Sequence, residues 1–372
     1  MKIFTKLIGA FGIVAVICAV VGGIGYYGIV QTTQSLEKVG GVNLPAIQGV
    51  GLVMEAMNSI KSAERTMIHS GITVADRTRE VNNLKPRWAE FDEGWLEYDG
   101  LPKTAAEQQL WQAAKSARDE WQKAHQQIVE LATGVHLDDV ETVASVLGQR
   151  EVDHYRWRNA FVYEVGKNQP FTGQLDSNMC AFGQWLNSYQ TDDPGFTAIL
   201  AKFSEPHEKL HSLGQRANRL IGQGDFTAVQ NLVDVDLAQV FPEMEAVFKE
   251  AKDYVSEEIG HLDQATAVAF GSSRAAFNSF MTTLDELSEM IRNDADAGRS
   301  SASAAASRSQ WIAIVAAILG IIVAMMFGFF ITRSIVRPLA VAVDTAQSMA
   351  VGDLTMEIQQ NSRDETGQLL GA

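Results

Sequence analysis

The chain has 372 residues, enough for two or three domains, and its 46% hydrophobic content with only 8 prolines favours helices over a turn-rich all-β fold. The net charge of −15 falls wholly on residues 31–310, which hold 25 Lys/Arg against 40 Asp/Glu. So acidic a surface repels nucleic acid and anionic lipid, and neither is expected as a partner.

The first feature along the chain is an uncharged run of 24 residues, 7–30, preceded by Lys2 and Lys6. A second uncharged run of 22 residues, 311–332, is followed by Arg333 and Arg337. Each is long enough for a hydrocarbon core that takes about 20 apolar residues. Basic residues flank both runs on the same side, which puts residues 1–6 and 333–372 in the cytoplasm and 31–310 outside. Tyr26, Tyr27 and Trp311 stand at the outer ends, where amphipathic rings prefer to sit. The first run is longer than a signal-peptide core and ends in no small-x-small cleavage pattern, so it reads as an uncleaved anchor. No charge interrupts either run, which argues against a channel or transporter.

Helical periodicity dominates the outer segment. Ile47, Val50, Met54, Met57, Ile60, Ala63 and Met67 recur at steps of three and four. Leu110, Ala114, Ala117, Trp121, Ala124, Ile128 and Leu131 do the same, as the seam of a bundle or coiled coil does. A weaker pattern fills 74–98, and Asp99-Gly100 with Pro102 marks a turn. Residues 241–308 read as one long helix with few breakers, ending in a Ser/Ala-dense stretch whose small side chains would let helices approach closely. The expected fold is all-α. A membrane-proximal bundle (31–135, returning at 256–310) carries an inserted module at 136–255.

The chemistry concentrates in that module. His154-Tyr155-Arg156-Trp157, Cys180-Ala181-Phe182-Gly183-Gln184-Trp185 and His207-Glu208-Lys209-Leu210-His211 follow one another. His207 and His211, at i and i+4, lie on one helix face, and with Cys180 and His154 they make a closed tetrahedral set for Zn²⁺. Gly183 would let a neighbouring helix approach the metal, and Trp157 and Trp185 would wall it from water. Taken singly, such a His pair arises by chance on helix surfaces, and a lone Cys is usually a small buried hydrophobe. Their grouping in 58 residues, with Cys180 the single outer cysteine, favours the metal. Pairing Cys180 with Cys18, inside the first apolar run, is geometrically implausible. His69, His125, His136 and His261 show no grouping and read as solvated or core residues. Catalysis is disfavoured: no oxyanion hole or hydrolase signature accompanies Cys180, no Cys-x-x-Cys-His binds haem, and Glu208 would have to turn inward as a base.

His-x-x-Trp, then Cys-x-Phe-Gly-x-Trp, then His-x-x-x-His resembles the chemoreceptor zinc-binding domain over about residues 140–255. The resemblance implies a four-helix bundle holding zinc on His154, Cys180, His207 and His211, and responses to zinc or to oxidants at the zinc-bound Cys. Familiar members are often cytoplasmic, whereas the charge pattern places this one outside. Asn43-Leu44-Pro45-Ala46-Ile47 and the flanking helices resemble, more loosely, the four-helix-bundle sensor of methyl-accepting chemotaxis receptors, a likeness of packing that carries over no ligand residues.

Beyond the second run, Val336-Arg337-Pro338-Leu339, Val351-Gly352-Asp353-Leu354-Thr355 and Asp364-Glu365-Thr366-Gly367-Gln368-Leu369-Leu370 resemble a HAMP relay domain. Pro338 starts a helix, Gly352 lets the connector turn and Glu365 opens a second helix. Leu339, Val343, Ala346 and Met349 make a heptad-like seam. Thr366 stands where that family usually has Ile or Leu. The resemblance implies a homodimer, and a chain ending at Ala372 inside the second HAMP helix implies an output domain beyond it. The expectation is therefore a two-span receptor of the bacterial inner membrane with a periplasmic sensor, relaying through HAMP to a chemotaxis kinase and adaptor. The alternative is the sensor half of a histidine kinase or diguanylate cyclase with a purely structural zinc.

Overall fold

A computed structural model describes residues 2–352 and 364–371. Every regular element among them is helical: α1 (Ile3–Lys38), α2 (Leu44–Met67), α3 (Val74–Asp99), α4 (Ala105–Thr133), α5 (Val140–Val165), α6 (Ala181–Ser188), α7 (Pro194–Ala201), α8 (Ser204–Gln223), α9 (Phe226–Asn231), α10 (Leu237–Phe270), α11 (Ser272–Ile331), α12 (Arg337–Ala350) and α13 (Glu365–Gly371). Single π turns, Val39–Asn43, Leu232–Asp236 and Thr332–Val336, carry the chain from α1 to α2, α9 to α10 and α11 to α12. Two helical stretches are long and apolar enough to cross a membrane. The chain divides into two compact units, Gln48–Ser288 and Met1–Ile47 with Glu289–Ala372.

In the latter unit α1 meets α11 where side chains are small. A β-carbon on Gly28 would fall 2.1 Å from Ser309 Oγ, so the Ser/Ala stretch does admit a close helix approach. Lys38 pairs with Asp294 at 2.8 Å, and the Asn43 amide donates to the same carboxylate at 2.9 Å. Pro338 sits in the first turn of α12, and Gly352, at φ +91°, takes a left-handed turn that side chains resist. The Glu365 carboxylate accepts the Ile3 amide at 2.9 Å. Leu339, Val343, Ala346 and Met349 are all exposed in the single chain. The motif residues Asp353, Leu354 and Thr355 lie outside the described residues.

In the Gln48–Ser288 unit, α2, α3, α4 and the adjoining ends of α10 and α11 enclose an aromatic core. Phe91, Tyr98, Trp111, Trp121 and Phe280 are each no more than 1% exposed. Thr104 caps α4 reciprocally with Glu107, the Thr104 amide donating to the carboxylate at 2.7 Å and the Glu107 amide to the hydroxyl at 3.3 Å. Helices α2 and α3 cross at Gly49 and Gly94: a β-carbon on Gly94 would lie 2.5 Å from the Gly49 oxygen. The long helix expected over 241–308 is instead two helices, because the ladder breaks at Gly271.

Candidate metal centre

Four helices and one loop build the site. His154 projects from α5, and α8 supplies His207 and His211 on the inward stripe that also buries Leu210, Leu213 and Ala217. Pro206 fits the first turn of α8, where its missing N–H costs nothing. Gly214 on the same stripe gives room to the loop before α6; a β-carbon there would meet Leu175 at 2.7 Å and Phe171 at 2.8 Å. Helix α10 closes the floor with Phe248, whose ring centroid is 5.7 Å from that of His154.

Cys180 caps the N-terminus of α6, its sulfur accepting the Gly183 amide at 3.2 Å. Gly183 does not admit a neighbouring helix. It admits the loop, for a β-carbon there would lie 1.9 Å from the Ser177 oxygen. Loop and cap together hold the sulfur over the pair of α8 histidines, 3.2 Å from His207 Nε2.

The ligand atoms of His154, Cys180, His207 and His211 all lie within 4.8 Å of one another. His154 Nδ1 is 2.7 Å from the Arg150 carbonyl and His211 Nδ1 is 2.8 Å from that of Gln174. A carbonyl only accepts, so each Nδ1 carries the proton and each Nε2 presents a lone pair. Those two Nε2 atoms are buried without a hydrogen-bond partner. Buried polar atoms in proteins are nearly always paired, so two such orphans, beside a thiol and a third imidazole, fit the ligand set of a cation.

The electrostatics agree. Burial pushes His154 down to about 4 and His207 to about 3, and it lowers His211 as well. The imidazoles are therefore held neutral, as ligands must be. Burial pushes the Cys180 thiol up and outweighs the help of the Gly183 and Phe182 amides and of the Arg150 charge. Trp157 lies 5.4 Å from the His211 ring and shields it, whereas Trp185 stacks on Phe182 one layer further out. Cavities of about 290 Å³, beside His154, Cys180 and His211, and about 980 Å³, beside His207 and His211, flank the centre.

Sequence reasoning missed one buried constellation elsewhere. His125 is a core residue, but its Nδ1 is 2.8 Å from Glu64, which also accepts from Lys61 at 2.7 Å. Glu64 stands one turn after Ile60 and next to Ala63 on the apolar stripe, and a charge there was the signal available. His136, by contrast, is largely exposed, and His261 meets the Gly134 carbonyl at 3.1 Å.

Comparison with known families accounts for most of the chain. Residues 1–148 match the family described as a four helix bundle sensory module for signal transduction, 154–218 the chemoreceptor zinc-binding domain, and 330–372 the HAMP domain. A putative sensory transducer protein of Acetivibrio thermocellus is 25% identical over 138 residues, 34% of this chain and 24% of its own length. The methyl-accepting chemotaxis protein McpQ of Pseudomonas putida is 38% identical over 66 residues, 18% of this chain and 10% of its own length. The alignments thus span under a quarter of each relative's length, and no solved structure matches. The chain combines a chemotaxis-receptor-type sensory module, a chemoreceptor zinc-binding domain and a HAMP domain, the equipment of a chemoreceptor-type transducer.

Proposed function

We propose that this chain is the sensory and relay part of a transmembrane chemoreceptor whose distal module holds zinc on His154, Cys180, His207 and His211. The observation that carries the reading is the pair of orphaned Nε2 atoms converging with Cys180 Sγ and His207 Nε2. Bound zinc supplies the positive charge that keeps Cys180 a thiolate. The chain does the rest: the Arg150 and Gln174 carbonyls fix the tautomers and orient the rings, and the Gly183 amide steadies the sulfur.

In this reading residues 31–310 lie in the periplasm, supported by Lys2, Lys6, Arg333 and Arg337 flanking the spans on one side. The input is zinc, an oxidant at Cys180, or a small ligand in the membrane-proximal bundle. The exposed α12 seam supports a homodimer in the inner membrane, which passes its state through Pro338, Gly352 and Glu365 to a chemotaxis kinase and adaptor. Metal analysis of the purified chain tests the centre: about one zinc per chain is expected, lost in Cys180→Ser, and zinc retained in that variant would remove the claim. A compartment-sensitive reporter fused near residue 190 tests the topology, and activity in the cytoplasm would reverse it. The closed four-ligand set favours a second reading, a purely structural zinc in a receptor whose ligand enters the bundle. Ligand-dependent signalling that survives Cys180→Ser would select it.

A further inference from the structure

Gly271 separates α10 from α11 at torsions of φ −99° and ψ −103°, and a β-carbon there would lie 2.6 Å from the Ala267 carbonyl oxygen. A helix that ends leaves its last turn of carbonyls without intrahelical partners. Ala269 lies in that turn, and its oxygen accepts from Lys61 Nζ at 3.1 Å. The same ammonium donates to Ser273 Oγ at 2.9 Å, on the first turn of α11. One side chain from α2 therefore grips both sides of the break.

The grip is backed from the rest of the bundle. Glu64 takes the ammonium at 2.7 Å and the Ser273 hydroxyl at 3.3 Å. Trp88 on α3 donates its indole N–H to His125 Nε2 at 3.3 Å, so His125 Nδ1 carries the proton and donates to Glu64 at 2.8 Å. Lys61, Glu64, His125 and Ser273 are all buried. Helices α2, α3, α4, α10 and α11 each contribute to this one cluster. Desolvating such a pair consumes much of its Coulombic gain, and apolar residues of equal volume would stabilise the bundle as well. Stability alone does not account for a charge at this level; the helix break beside it does.

We infer that Gly271 is a joint in the return helix and that Lys61, braced by Glu64, is the latch that holds it open. With the ammonium in place, the Ala269 carbonyl is occupied and α10 and α11 stay two helices. With it withdrawn, that carbonyl accepts from its own helix again and the two run on as one. Phe248, against His154, lies on α10, and α11 runs unbroken to Ile331. Motion of α10 at the metal centre thus reaches α11 through the latched joint.

Hydrogen exchange on the full chain in lipid nanodiscs, followed in a peptide covering residues 268–276, tests this with Lys61→Met and Gly271→Ala. Met keeps the stem of the side chain without its charge, and Ala favours the continuous helix while clashing in the broken one. Both variants are expected to slow exchange at the joint by about tenfold or more relative to α4 of the same molecule. Exchange at the joint that is unchanged or faster relative to α4 in either folded variant would overturn the proposal. Should Lys61→Met fail to fold, Gly271→Ala decides by the same reading.

Discussion

Two buried polar clusters stand in the same compact unit, and they differ in one respect that separates their roles. Around Glu64 every polar atom named above has a partner: ammonium to carboxylate, carbonyl and hydroxyl, imidazole to carboxylate and indole. Around His207 two imidazole nitrogens have none, although the protein has fixed their tautomers with backbone carbonyls. A completed network holds its own helices in place. An incomplete but oriented one is complementary to something else, and a set of three imidazoles and a thiol suits a borderline-soft divalent cation.

The largest effect that would break this contrast is on metal. Chelation is expected to destabilise the wild-type chain by about 4 kcal/mol or more if the site is held near a thousand times its Kd. Melting curves with and without chelator should coincide for Cys180→Ser, and a chelator-dependent shift in that variant would erase the distinction. Next comes Glu64→Gln, which leaves Lys61 buried without its counter-charge. A loss of about 3 kcal/mol in denaturant titration is expected, with zinc content unchanged.

The same residue sets an acid limb. Burial pushes the Glu64 carboxyl up, but hydrogen bonds from His125 and Lys61 and the lysine charge outweigh it and hold it below its ordinary 4.5. The unfolded state therefore binds more protons than the folded one in that window. The Glu64 contribution is fully present above pH 4.5 and is lost as pH falls through the folded value. The stability gap between wild type and Glu64→Gln should narrow on acidification below 4.5, as acid melts would show; a constant gap would contradict the pairing.

Smaller effects sharpen the comparison by leaving both clusters alone. Gly94→Ala forces α2 and α3 apart and should cost about 2 kcal/mol with zinc retained, read from denaturant midpoints. Thr104→Ala removes one cap and should cost about 1 kcal/mol, read the same way. Either variant losing metal would mean that the bundle and the metal centre are not separable.

The four residues that meet at the centre were legible because Cys and His are rare and their spacing is short-range: i and i+4 on α8 fixes two of them without any tertiary knowledge. The two helices long and apolar enough to cross a membrane were legible from uninterrupted apolar length. The Glu64 cluster was not, since Lys61, His125 and Ser273 come together across as many as 212 positions, and a lone His carries no mark of its partners. The break at Gly271 was equally silent, because one of 30 glycines in a good helical pattern looks tolerable until the backbone around it is seen. The start of α6 was silent for a related reason: the side chain that caps it is the Cys180 sulfur, which sequence rules for caps do not include.

The π turn at Thr332–Val336 bears on rotation rather than on length. It takes in one residue more than an α turn, so the face of α12 that bears Leu339, Val343 and Met349 is not in phase with the face of α11 above it. Tightening that single turn to α pitch would advance every following side chain by one residue, about 100° about the axis. Such local repitching would re-aim the Leu339, Val343 and Met349 seam with α11 neither sliding nor lengthening.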